Sequence, residues 1–229
     1  MNEIRISAKN LGALAMPDFC PRCFWVKSNI KKLPWQIFPG IFSSIDSYTK
    51  KTVHNYFDTH GHAPPWLPEA KDAKRYLKCL WHTKFFRKDP VTGITVSGTE
   101  DDLFEFDDNS RMIVDYKTAK FTKNADKLLP IYDTQLNGYA WIEEGFGHEV
   151  RPELPLYYCQ PVTDPDIKRI EDAGFNMGFS VHTVIVKKDT AKIPELLQRA
   201  HGILTGDIPP RGVECKDCEN LDMIIDAWE

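Results

Sequence analysis

No stretch of this chain approaches the roughly 18 consecutive apolar residues that a membrane-spanning helix requires, so a transmembrane anchor is not expected. Nor is there an excess of positive charge: 29 Lys and Arg stand against 33 Asp and Glu, a formal net charge of -4 with an isoelectric point of about 6.0. That balance argues against a protein that coats a polyanion by bulk charge, although it leaves room for a local basic groove. No Gly-x-x-x-x-Gly-Lys-Ser/Thr segment is present, so the chain lacks the phosphate loop of a nucleotide-driven motor. Internal repeats and low-complexity tracts are missing as well. The first residues, MNEIRISAKNLGALAMPDF, carry an early acid and no sustained apolar stretch. Neither a secretory signal nor an anchor is read there, and a cytoplasmic location is expected.

What the chain does have is apolar material for one substantial core. Hydrophobic residues make up 42% of its 229 positions, and six Trp, thirteen Phe and eight Tyr are too many for a disordered chain. Residues 1–229 are therefore read as one domain in three parts. These are 1–90 with a Cys-x-x-Cys pair and helices, 91–190 as the core, and 191–229 with a helix and a second Cys-x-x-Cys pair.

Periodicity predicts a helix over 43–59, opened by Ser43 or Ser44, with Ile45, Tyr48, Thr52 and Tyr56 on its inner face. A basic amphipathic helix is predicted over about 67–86, with Tyr76, Leu77, Leu80 and Trp81 inward. Residues 71–88 also interleave seven Lys and Arg with aromatics, the mixture that a single-strand channel uses for phosphates and base faces. Strands follow at 94–98, 102–106 and 111–118, read as an antiparallel meander with a DDNS turn at 107–110. A helix over about 126–144 has Pro130 in its first turn, strands cover 154–162 and 179–188, and a late helix stops near Gly206. The class is α/β, a sandwich built on a mixed sheet.

The segment MIVDYKT, 112–118, holds the chemistry. Met112, Ile113 and Val114 form a buried run, yet Asp115 and Lys117 follow at once, where an uncompensated charge costs several kcal/mol. In a strand these two side chains share a face while Tyr116 takes the other. A carboxylate there can anchor a hard divalent cation such as Mg²⁺. An ammonium two residues on can contact a phosphate or orient the water that attacks it. The preceding hairpin supplies further carboxylates, Glu100, Asp101 and Asp102. Read alone, Asp-x-Lys is more often a strand-end salt bridge than a site.

The ordered set Gly98-Thr99-Glu100-Asp101, then Asp115-Tyr116-Lys117, then Gln135 and Tyr139 on a helix resembles the RecB-like branch of the PD-(D/E)XK nuclease superfamily. That resemblance implies a restriction-endonuclease-like core, a mixed β-sheet flanked by helices. It implies that Asp101 and Asp115 bind Mg²⁺ or Mn²⁺ and that Lys117 is the catalytic lysine. Gln135 and Tyr139, one helical turn apart, would face the site and position DNA. Many such proteins add a histidine from an early helix as a metal ligand, and His54 is the candidate, with His60 and His62 competing. On the helix phase above, however, His54 lies opposite the inner face. A second departure is Glu100, which stands where the family carries an aliphatic residue, so that Asp102 competes with Asp101.

Cys20-Pro-Arg-Cys23 and Cys215-Lys-Asp-Cys218 are tight pairs of the kind that bind metal, whereas Cys79 and Cys159 read as core filler. Nothing indicates export, so disulfides are not expected. Four thiolates suit tetrahedral Zn²⁺ or a [4Fe-4S] cluster, and spacing does not decide between them. The pairs fall where the iron-sulfur RecB-like nucleases, CRISPR-associated or AddB-type, place their cysteines, and this resemblance implies a [4Fe-4S] cluster. The family pattern, though, is one Cys plus three rather than two plus two. Either metal would join the chain ends.

The resulting expectation is a metal-dependent deoxyribonuclease acting on single-stranded DNA ends or flaps, in repair, phage defence or CRISPR adaptation. A helicase, CRISPR or repair partner protein would supply any unwinding. The competing expectation is a nuclease-fold module that binds nucleic acid without turnover.

Overall fold

A computed structural model describes residues 3–30, 39–122, 127–164, 170–171 and 174–227. The chain opens with β1 (Arg5–Ser7), α1 (Ala8–Leu11), a 3₁₀ turn at Gly12–Ala15, α2 (Pro21–Asn29) and the long α3 (Gly40–His60). After a second 3₁₀ turn at Pro68–Ala70 come β2 (Arg75–Tyr76), β3 (Phe86–Lys88), β4 (Thr95–Ser97), β5 (Asp102–Glu105) and β6 (Arg111–Lys117). Then follow α4 (Leu129–Gly145), β7 (Glu153–Pro161), the two short strands β8 (Ile170–Glu171) and β9 (Gly174–Phe175), β10 (Phe179–Lys187), α5 (Lys192–Leu204) and α6 (Lys216–Asp226).

The main sheet has the order β10-β7-β6-β5-β2; β6 and β7 run parallel and the other neighbours antiparallel. A second, three-stranded mixed sheet has the order β1-β4-β3. Period-two alternation splits the main sheet into two faces. Leu103, Ile113, Leu156 and Val186 pack with Leu136, Ala140, Ile193 and Leu197 of α4 and α5. Phe104, Met112, Val114, Tyr116 and Tyr157 pack with Val53 and Phe57 of α3. Both faces of β6 are thereby buried, as a strand sandwiched between helices requires.

Helix α4 is seated from three sides. Pro130 stands in its first turn, where a missing N–H costs nothing. At Gly138 a Cβ would lie 2.7 Å from the Cβ of Ala8, so only glycine lets α1 cross this closely. Asn137 accepts from the Asp189 N–H and donates to the Lys187 carbonyl, tying the helix to the end of β10.

Three expectations are corrected. The helix over 67–86 does not form: the Lys74 and Leu77 amides bond to the Glu105 and Leu103 carbonyls, because pairing the open edge of β5 outweighs a 3.6-residue pattern. Leu80 and Trp81 are exposed, while Phe85 is core. The 94–98 strand leaves the meander and pairs with β1 and β3, although the β5–β6 hairpin forms as expected. Helix α3 begins at Gly40, and its inner residues are Val53 and Phe57, with Tyr48 exposed. This phase turns His54 toward the sheet.

Candidate active site

Asp115 and Lys117 extend from the end of β6 on the α4 face, with Asp115 only 1% exposed and its carboxylate paired with the Lys117 ammonium. Gln135 Nε2, from the facing turn of α4, donates to Asp115 Oδ1 at 2.9 Å and bridges to the Tyr139 hydroxyl at 2.9 Å. Lys117 also lies over the Tyr132 ring, 4.8 Å from its centroid.

Asp101 enters from the bend before β5. Its Oδ2 accepts from the Tyr116 N–H at 2.9 Å, which holds it beside the Asp115 carboxylate. The crowding is visible in the Asp115 carboxyl, pushed up from 3.8 to about 7, first by burial and then by the charge of Asp101, with Lys117 opposing. For Lys117, burial pulls the ammonium down, but the two carboxylates outweigh it and the net shift is upward.

Most of the expected residues converge. Asp101, Asp115, Lys117, Gln135 and Tyr139 lie together at the end of β6 that faces α4. Asp102 points to the other face, fully buried, where it accepts from the Tyr116 hydroxyl at 3.0 Å and meets His54 Nε2 at 2.8 Å. His54 therefore belongs to Asp102 and not to the Asp101–Asp115 pair. Asp102 raises the His54 pKa, against the opposing effect of burial. The imidazole is stacked on Tyr76, with centroids 4.1 Å apart. His60 and His62 lie away from the site, in contact with Tyr56. Glu100 is buried beside Glu143, and its carboxyl is pushed up to about 9 by burial and then by that neighbour. Glu143 is held in turn by Arg111 and His148.

Sequence reasoning missed Lys50, whose ammonium sits 2.7 Å from Asp101 Oδ1 and 2.9 Å from Asp46. The signal was present: Asp46, Lys50 and His54 recur every four residues, a stripe on one face of α3. Gly98, read from the sequence as the start of the Gly-x-x-Asp motif, proves to be packed against Tyr139, where a Cβ would fall 2.3 Å from the ring.

Carboxylates and an amide oxygen are hard donors of the kind that Mg²⁺ and Mn²⁺ prefer. One buried acceptor here, Gln135 Oε1, has no partner, and Asp115 Oδ2 is met by the Lys117 ammonium. A cation between the adjacent carboxylates would relieve their mutual repulsion, so the residues fit a divalent ion held by Asp101 and Asp115.

Where the two ends of the chain meet, Cys20, Cys23, Cys215 and Cys218 bring their sulfurs within 4.8 Å of one another, a group able to hold a metal ion. Among the described residues it is the one cluster of three or more such ligands. Cys79 and Cys159 stand apart from it, and burial pushes the Cys159 thiol up to about 11.

No protein-family model matches the sequence, and no curated protein matches it. Solved structures do share its shape. SSO0001 aligns over 91% of this chain and 80% of its own, at 16% identity and a TM-score of 0.53, which shows a common fold. The alkaline exonuclease LHK-Exo from Laribacter hongkongensis aligns over 98% of this chain and 95% of its own, at 10% identity and a TM-score of 0.44. Its complex with dAMP gives 0.36 over 97% and 90% at 10% identity. At these two lower scores the likeness is too loose to bear on the site or its chemistry. No described helix is long and apolar enough to cross a membrane.

Proposed function

We propose that this chain, as a single domain, is a divalent-metal-dependent deoxyribonuclease of the PD-(D/E)XK type that hydrolyses phosphodiester bonds in single-stranded DNA ends or flaps. The observation that carries this reading is the meeting of two adjacent carboxylates, Asp101 and Asp115, with Lys117 on one buried face. A salt bridge needs one carboxylate. A second, placed so that it raises the pKa of the first, is a cost that a cation-binding site explains.

In this reading Asp101 and Asp115 hold Mg²⁺ or Mn²⁺, which supplies Lewis acidity toward the phosphate oxygens when bound. Lys117 orients the attacking water and offsets the negative charge that grows on the phosphate as the water oxygen bonds to phosphorus and the bond to the sugar oxygen breaks. The attacking water gives up one proton to solvent, and the leaving sugar oxygen takes one up from solvent. Gln135, bonded to the Tyr139 hydroxyl, fixes the rotamer of Asp115, and through it the pair positions the DNA at the metal. His54 supports the site from behind, by holding Asp102 beside Tyr116, whose amide positions Asp101. Any unwinding comes from a helicase, CRISPR or repair partner.

One observation favours a second reading, a nucleic-acid-binding module without turnover: Lys50 and Lys117 already neutralise one carboxylate each. Cleavage of end-labelled single-stranded DNA in Mn²⁺ by the wild type and Lys117→Ala separates the two. The nuclease reading expects cleavage that falls by roughly 100-fold or more in the variant. Equal loss of substrate with both proteins, or none with either, rejects it.

A further inference from the structure

The [4Fe-4S] cluster suggested by the positions of the cysteines does not fit the site they form. Sulfur pairs Cys20–Cys218, Cys23–Cys215 and Cys23–Cys218 are 3.6, 3.5 and 3.5 Å apart, in van der Waals contact. In a cubane each thiolate binds a different iron, and sulfides occupy the corners between the irons. Thiolates in contact with one another leave no space for that body. One tetrahedral ion with Zn–S bonds of about 2.3 Å sets its sulfurs roughly 3.8 Å apart, which these separations approach.

The surroundings repeat the same logic twice. Cys20 is the N-cap of α2 and Cys215 the N-cap of α6, with Cys23 and Cys218 one turn inside each helix. The Phe24 and Glu219 amides close the two turns identically, on the Cys20 and Cys215 carbonyls at 3.1 Å. Both helix N-termini thus direct their partial positive charge at the thiolates. The Gly212 N–H adds a bond to Cys20 Sγ at 3.2 Å. Such paired knuckles suit a two-plus-two ion.

The energetics require a ligand. Helix α6 has 11 residues and buries only Cys218, while Met223, Ile224 and Ile225 remain exposed. A helix this short is marginal in water without tertiary packing. Among the described residues the ion pairs that also hold α6 are Arg22–Asp222 at 3.5 Å, Lys27–Asp217 at 3.6 Å and Arg211–Asp222 at 3.5 Å, all partly or largely solvated and weak. Without a bond through the sulfurs, α6 is held by these weak pairs.

We infer that Cys20, Cys23, Cys215 and Cys218 bind a single Zn²⁺ ion, and that this ion docks α6 onto α2. The inference is independent of the nuclease reading and survives its failure. The test uses the full chain, expressed with both iron and zinc supplied and purified without oxygen. About one zinc per chain is expected, with negligible iron and acid-labile sulfide and no brown colour. Exchange with Co²⁺ should yield thiolate-to-cobalt charge transfer and intense tetrahedral visible bands, lost in Cys218→Ser. Should that variant fail to fold, the wild-type cobalt spectrum still decides. Limited proteolysis after zinc removal should cut first between α5 and α6. Iron and sulfide in about fourfold amount per chain, cysteines paired as disulfides, or thiols with no bound metal would each overturn it.

Discussion

Replacing Asp115 by Asn should stabilise the protein when no Mg²⁺ or Mn²⁺ is added. The Asp115 carboxyl titrates at about 7 in the folded chain, against an ordinary value of 3.8, because burial and then Asp101 disfavour its charge more than Lys117 favours it. Between roughly pH 4 and pH 7 the unfolded chain releases this proton while the folded chain keeps it, so the contribution of this group to stability falls as pH rises. At about 1.4 kcal/mol per tenfold, the ceiling is roughly 4 kcal/mol of destabilisation above pH 7. Asn removes that cost, in which the attraction of Lys117 is already counted, but its amide N–H groups must be buried beside an ammonium, while Lys117 retains the attraction of Asp101 and the Tyr132 ring. The net gain should be about 1–2 kcal/mol, or roughly 2–8 °C in Tm for a chain of this size. Thermal melts of both proteins near pH 4 and pH 8 read it directly. The gain should be present at the higher pH and vanish at the lower, and Mn²⁺ should raise the Tm of the wild type alone. An Asn variant that melts below the wild type near pH 8, or gains equally at both pH values, refutes the reasoning.

Two further substitutions probe the frame of the site. Gly98→Ala places a methyl 2.3 Å from Cε1 of Tyr139, which should cost about 1–3 kcal/mol in a denaturant melt and displace the ring. Adding Tyr139→Leu should recover most of the stability. Lys50→Met removes the ammonium that competes for Asp101. The metal-free Tm should fall while the rise caused by Mn²⁺ grows, and an unchanged response to Mn²⁺ would mean that Lys50 and the ion do not compete.

The sequence by itself determined which side chains of the candidate site share a face. Two charges two residues apart in a strand, and Gln135 and Tyr139 four apart in a helix, share faces through local geometry that no distant contact can change. The β5–β6 hairpin followed from its turn residues for the same reason. Only the tertiary structure decided the rest. Lys50 reaches Asp101 and His54 reaches Asp102 because α3 packs by Val53 and Phe57, a phase that polar and apolar positions along this helix left open. Arg75 and Tyr76 became a strand, flanked by the Lys74 and Leu77 amide bonds, because the edge of β5 needed partners, a demand written in another segment. The cysteine spacing allowed an ion or a cluster, and only the fold brought the four sulfurs, on two helices far apart in the sequence, within 4.8 Å of one another, since coordination is set by positions in space and not along the sequence.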